Sequence, residues 1–170
     1  FVKKIFVTYQ QTARCFSPAK VMVSGNPVRA AFAAINKTER QKKDCRQLLI
    51  FGGSQGAEAI NRAIIRILPR LQKMKRKICI IHQTGTKQAD KIKKVYEKYA
   101  MKAHVLPFIV DMVKAYKSAD LIICRAGATS LAEITAAGRA AILIPYPYAA
   151  DDHQAKNARA MADAGAAVVL

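Results

Sequence analysis

Tryptophan is absent from this 170-residue chain, and aromatic residues make up only 7% of it. Stacking platforms for unpaired bases are therefore scarce. No RRM-like or KH-like GXXG signature compensates, so no nucleic-acid partner is expected. Acidic residues are also few: Lys and Arg outnumber Asp and Glu by 29 to 11, a formal charge of +18. A field of that size attracts phosphates, anionic lipid headgroups or nucleic acid, and charge alone does not choose among them. The cysteines, Cys15, Cys45, Cys79 and Cys124, lie far apart with no C-x-x-C pair. That spacing signals neither a zinc site nor a dense disulfide framework, and reduced thiols in a cytoplasm are the expectation. No apolar run approaches the ~18 to 20 residues that span a bilayer, and no signal-peptide pattern is visible, so any membrane contact is expected to be peripheral.

What is present suffices for one packed domain. Hydrophobic residues are 52% of the chain, enough to bury roughly two-thirds of the unfolded surface. The first residue is Phe1 rather than Met, and 1–9 reads as a strand, so the sequence is expected to be part of a longer polypeptide. Apolar runs of strand length recur at 47–51, 77–81, 104–106, 120–124, 141–144 and 166–170. Between them, segments 57–74, 87–100, 111–117, 130–137 and 153–164 carry Ala, Leu or Ile at three- and four-residue spacing. This alternation predicts an α/β fold with a parallel sheet covered on both faces, a doubly wound, Rossmann-like domain. A second short strand at 20–24 is followed by the breakers Gly25, Asn26 and Pro27, and 36–46 is polar and Lys-rich. Residues 1–29 are read as the tail of a preceding domain plus its linker, and 30–170 as the domain proper.

Strand 47–51 runs straight into Gly52-Gly53-Ser54-Gln55-Gly56, and a helix begins at once. Glycines there permit a sharp turn and a close approach of backbone to ligand, with free N–H groups and the helix dipole aimed at an anion. The turn is neither a G-x-G-x-x-G dinucleotide fingerprint nor a Walker A loop, and it can also be purely structural. A second loop of this type, Arg125-Ala126-Gly127-Ala128-Thr129-Ser130, follows strand 120–124 and enters a helix carrying Glu133. Ser130-x-x-Glu133 reads as a capping box, and Glu133 is equally placed to accept ribose hydroxyls at the crevice. A third cluster, Asp151-Asp152-His153-Gln154, follows strand 141–144. One aspartate is explained as a helix cap; His153 and Gln154 are not. His82 and His104, at strand positions, read as structural residues. No second His or Cys stands at ligand spacing, so neither a metal site nor a cofactor is expected.

Taken together, Gly25-Asn26-Pro27-Val28-Arg29, Gly52 to Ala57, His82-Gln83-Thr84-Gly85, Phe108-Ile109-x-Asp111-Met112, Arg125 to Glu133 and Asp152-His153-Gln154-x-x-Asn157-Ala158 resemble the peptidoglycan N-acetylglucosaminyltransferases of glycosyltransferase family 28. The likeness covers about 20–170 in order and spacing. It implies a GT-B fold of two Rossmann-like domains, with this chain as the C-terminal half that binds UDP-N-acetylglucosamine and 1–29 as the end of the acceptor domain plus linker. By that resemblance Gly53, Ser54 and Gln55 lie against the diphosphate, main chain at Phe108 and Ile109 reads uracil, and Glu133 holds the ribose. Gly127, Ala128, Thr129 and Ser130 line the second loop, His153 and Gln154 meet the sugar hydroxyls, and Arg29 sits at the cleft side of the linker. The implied reaction is inverting transfer of N-acetylglucosamine to lipid I on the inner face of the bacterial cell membrane, without a cofactor. The catalytic base and the lipid-acceptor site belong to the other domain, so the isolated fragment is expected to be inactive. Two departures are Ala140 where the family usually has Pro, and Asp152 where Asn is common.

Two other readings share these motifs: another UDP-sugar enzyme of GT-B shape, such as a glycolipid glycosyltransferase or a UDP-N-acetylglucosamine epimerase, and a non-catalytic donor-binding module. The positive charge is densest at Lys87, Lys91, Lys93, Lys94, Lys98 and Lys102, around a stripe of Ala89, Ile92, Val95, Tyr96 and Tyr99. This pattern fits a solvated helix packed on the sheet, and it also fits attraction to an anionic membrane surface.

Overall fold

The strand and helix alternation builds an all-parallel sheet with helices on both faces. The computed structural model describes residues 2–36, 44–53, 56–74 and 77–170. A small unit comes first, in which β1 (Ile5–Val7), α1 (Gln10–Ala13) and β2 (Val21–Val23) form a two-stranded parallel sheet of their own. Next come α2 (Ala30–Asn36), β3 (Arg46–Phe51), α3 (Glu58–Gln72), β4 (Ile78–Gln83), α4 (Ala89–Lys98), β5 (Lys102–Leu106) and α5 (Met112–Ser118). The chain finishes with β6 (Leu121–Cys124), α6 (Ala128–Ala137), β7 (Ala140–Leu143), a 3-10 turn at Ala150–Asp152, α7 (His153–Asp163) and β8 (Ala167–Val169).

The six main strands lie in the order β5-β4-β3-β6-β7-β8. From β3 the chain builds outward through β4 and β5, then crosses back through α5 to place β6 on the other side of β3. The strand order therefore reverses between β3 and β6, and the loops leaving these two strands diverge there to open a crevice.

Side chains alternate along β3 with the two-residue period of a strand buried on both faces. Leu48 and Ile50 pack with Ile60, Ile64 and Leu68 of α3 and Ile92 and Tyr96 of α4. Leu49 and Phe51 pack on the opposite face with Phe32, Tyr116, Leu131 and Ile134 from α2, α5 and α6. The sequence reading assigned no helix to 30–36. Phe32 and Ile35 nevertheless anchor α2, and the Phe32 ring meets Tyr116 edge-on with centroids 5.0 Å apart.

Cysteine pairing differs from expectation. Cys45 and Cys79 form a disulfide, with Cα atoms 5.8 Å apart, so the reduced-thiol reading fails for this pair. The parallel register sets Gln47 opposite Cys79, which leaves Cys45 diagonally across the ladder on the same face, within bridging distance. Cys15 is exposed and Cys124 buried, both as free thiols. Among the described residues no helix is long and apolar enough to cross a membrane, and no group of three His, Cys, Asp or Glu side chains could hold a metal ion.

Candidate functional site

The crevice is walled on one side by the glycine turn after β3. Gly53 adopts φ +97° and Gly56 φ +75°, conformations that L side chains rarely adopt. The Gly56 N–H closes the turn onto the Gly53 carbonyl at 3.1 Å. A Cβ on Gly56 would collide with the Thr84 carbonyl, so the turn lies directly on the end of β4. Ser54 and Gln55, expected at the diphosphate, fall outside the described residues.

The opposite wall is the start of α6. The first intrahelical bond runs from Leu131 N–H to the Gly127 carbonyl at 3.0 Å, so the amides of Ala128, Thr129 and Ser130 have no helical partner and face the helix mouth. This corrects the capping-box reading. Gly127 occupies the N-cap position and no side chain caps the helix, which places Ser130 at the third helical position and Glu133 at the sixth. Glu133 is thereby free of a capping role. It is half-buried, and burial raises its pKa, while the nearby Tyr116 hydroxyl and Arg29 guanidinium oppose the rise. The Tyr116 hydroxyl is itself buried and lies close enough to the Glu133 carboxyl to favour its charged form, although the pair falls short of full hydrogen-bond geometry.

Two further segments converge on α6. From the linker, Asn26 donates to Thr129 Oγ1 at 3.4 Å, and Arg29 stacks 5.1 Å over the Phe32 ring. From α7, the buried Asn157 donates to the Ala126 carbonyl at 3.2 Å. Arg125, which the sequence reading did not single out as a site residue, donates to the Ile144 and Pro145 carbonyls at 3.0 and 2.8 Å and stacks on Tyr146. It pins the loop after β7 to the loop after β6.

His153 and Gln154 start α7 beside that loop. The Ala150 carbonyl can only accept, so at 2.7 Å it fixes the proton of neutral His153 on Nδ1 and leaves Nε2 as an acceptor. Gln154 Oε1 accepts the Tyr146 N–H at 3.0 Å, leaving its NH2 group as the donor it can offer. The aspartate-cap reading does not hold. Asp151 and Asp152 both have positive φ, 49° and 51°, and Asp152 sits at the N-cap of α7 without a side-chain cap bond. An N-cap side chain reaches the first amides from extended backbone, which a left-handed residue does not provide. Asp, like Asn, tolerates that conformation because its short polar side chain can bond locally.

Phe108 and Ile109 lie just past β5. Phe108 is exposed and Ile109 buried. The Ile109 N–H donates to Gln83 Oε1 at 2.7 Å, so in this conformation that amide is not available to a ligand. Asp111 caps α5 by accepting the Lys114 N–H at 2.9 Å. Gln83, Asn61 and His82, all buried, support this end of the sheet. Asn61 Nδ2 donates to the Thr84 carbonyl at 3.0 Å and to Gln88 at 2.8 Å.

Apart from Arg29 on the linker, the described candidates lie at the carboxyl ends of the main-sheet strands or on the helices that follow them. Comparison with known proteins identifies the family and the fold. The model of the glycosyltransferase family 28 C-terminal domain matches residues 47–170. Similar proteins include the UDP-N-acetylglucosamine--N-acetylmuramyl-(pentapeptide) pyrophosphoryl-undecaprenol N-acetylglucosamine transferase of Syntrophus aciditrophicus, 50% identical over 100% of this chain and 47% of the relative. The enzyme of the same name from Geotalea uraniireducens is 44% identical over 95% of this chain and 45% of its own length. A crystal structure of MurG from Acinetobacter baumannii superposes with a TM-score of 0.79 at 37% identity, covering 99% of this chain and 46% of that one. The glycotransferase of kitacinnamycin shares the fold at 14% identity, with a TM-score of 0.68 over 99% of this chain and 42% of its own. The chain thus spans about half the length of the curated relatives it matches.

Proposed function

The chain belongs to the glycosyltransferase family 28 C-terminal domain family, and from that premise we propose that it is the donor half of an inverting N-acetylglucosaminyltransferase acting on lipid I. The observation that carries this reading is the convergence of two strand-to-helix loops on the reversal point between β3 and β6. In this reading Gly53 and Gly56, the α6 amides and Glu133 line the crevice expected at that point, an arrangement that suits a nucleoside diphosphate: amides and helix dipoles for the phosphates, a carboxylate for the ribose.

In this reading the loops stabilise the charge that develops on UDP as the acceptor hydroxyl attacks the anomeric carbon. Ser54 and Gln55 join Gly53 at the diphosphate, and main chain at Phe108 and Ile109 meets the uracil. Gly127, Ala128, Thr129 and Ser130 line the phosphate and sugar side. His153 Nε2 and the Gln154 amide group address the sugar hydroxyls, and Arg29 balances charge beside Glu133. Residues 1–29 are the end of the acceptor domain and its linker, and 30–170 the donor domain. Deprotonation of the acceptor falls to the other half, so this chain alone binds donor without transferring sugar. The enzyme works at the cytoplasmic face of the membrane, with the lysines of α4 adding attraction to anionic lipid.

The test is equilibrium binding to the Gln154→Ala chain. Affinity for UDP-N-acetylglucosamine is expected to fall about tenfold, the cost of one lost hydrogen bond in a closed site, while UDP binds as before. Equal losses for both ligands, through disturbance of the Tyr146 loop, would reject the sugar assignment.

A further inference from the structure

We propose that Gln83 is the positioning residue that holds the glycine turn and the base-reading segment in register with each other, an inference that rests on the donor-binding reading above. Gln83 ends β4, paired with Phe51 of β3 on one side and Leu106 of β5 on the other. Both flanking strands stop there; the Thr84 and Gly85 N–H groups still donate to the Leu106 and Pro107 carbonyls, but among the described residues no main-chain bond joins the glycine turn to segment 107–110. The Gln83 side chain, only 3% exposed, makes that tie. Its Nε2 donates to the Gly53 carbonyl at 2.7 Å and its Oε1 accepts the Ile109 N–H at 2.7 Å.

The chemistry of the two ends dictates the residue. A carbonyl only accepts and an amide N–H only donates, so the strut must carry one donor and one acceptor at the tip of a side chain, which Gln supplies and Glu or Leu does not. The Gly53 carbonyl already accepts from Gly56, so Gln83 supplies a second bond that turns this carbonyl toward β4. Gly53 is thereby fixed at both of its carbonyl's hydrogen bonds, one from Gly56 and one from Gln83. At the other end, Ile109 is clamped between exposed Phe108 and Val110, which presents the main chain of this segment as a fixed edge. One side chain thereby sets the spacing between the part of the site that meets phosphate and the part that meets the base.

Two substitutions separate the ends. Gln83→Glu keeps an acceptor for Ile109 and sets a carboxylate oxygen against the Gly53 carbonyl, releasing the glycine turn alone. Gln83→Leu removes both bonds. With the 170-residue chain, the Glu variant is expected to bind UDP about tenfold more weakly than wild type while uridine affinity stays within about threefold. The Leu variant is expected to lose about tenfold or more for both ligands. Native-state hydrogen exchange on the unmodified chain adds a check that needs no variant to fold: the Ile109 amide should be protected, and in the Leu variant it should exchange about tenfold faster. Wild-type binding to UDP with Glu-variant affinity unchanged, equal losses of UDP and uridine in the Glu variant, or an unprotected Ile109 amide in wild type would each overturn the proposal. Failure of the wild-type chain to bind UDP at all would instead overturn the donor reading, and this inference with it.

Discussion

Asn61 Oδ1 stands 3.0 Å from His82 Nε2 and fixes the state of that buried imidazole. The Asn61 amide nitrogen is committed to the Thr84 carbonyl and Gln88, so its oxygen can only accept, and His82 must carry its proton on Nε2. Nδ1 then accepts the Tyr96 hydroxyl at 2.9 Å. The network is satisfied only with His82 neutral.

Burial pushes the His82 pKa down from 6.5 to about 4. The unfolded chain therefore binds the extra proton first as pH falls. The stability this group contributes is fully present above about pH 6.5, and on the order of 3 kcal/mol is lost as pH falls to about 4. Urea denaturation between pH 7 and about 5 should show this slope, and His82→Gln should flatten it. An identical slope in the variant would assign the pH dependence to other groups.

Glu133 presents the opposite case, a carboxyl whose pKa burial raises. Its charged form is disfavoured in the fold, so its contribution to stability is present at low pH and lost as pH rises through the raised value. Glu133→Gln is therefore expected to leave the melting temperature at neutral pH unchanged or higher, while UDP binding weakens. Thermal melts and titrations on the same variant check this together. Lower stability with unchanged UDP affinity would make Glu133 a structural residue.

The lysines around α4 carry a separate expectation. Lys87, Lys91, Lys93, Lys94, Lys98 and Lys102 are exposed while Ile92 and Tyr96 are buried against the sheet, so the stripe is occupied and only charge is free to meet a surface. The chain should co-sediment with vesicles containing anionic lipid and be released by salt, as screening shortens the reach of the charges to within about 10 Å. Binding to zwitterionic vesicles, or none at low salt, would remove the electrostatic reading.

The six main strands were legible in the sequence because each reads as a short apolar run, with β3, β4 and β6 buried on both faces at the centre of the sheet, so the doubly wound fold followed. Helix α2 escaped because it is short, and two buried positions, Phe32 and Ile35, carry too little periodicity. The start of α6 was misplaced by two residues because the Ser130-x-x-Glu133 spacing imitates a cap, whereas Gly127 begins the helix with backbone alone. The disulfide depended on strand register, which composition does not reveal. Gln83 and Arg125 act through carbonyls and amides contributed by other loops, so only the fold identifies them. The two glycine loops and the Asp151–Gln154 cluster stood out in the sequence because breakers followed by helix starts mark strand ends, where α/β sheets bind ligands, whereas Arg29, Phe108 and Ile109 entered only through the family resemblance.

Calorimetric titration of this chain with UDP-N-acetylglucosamine, UDP-glucose and NAD is the most direct test of the donor-half account. Saturable one-to-one binding of UDP-N-acetylglucosamine is expected, with weaker binding of UDP-glucose and no heat of binding with NAD. Binding of NAD at least as tight as that of the UDP-sugars, or no binding of either UDP-sugar, would contradict it.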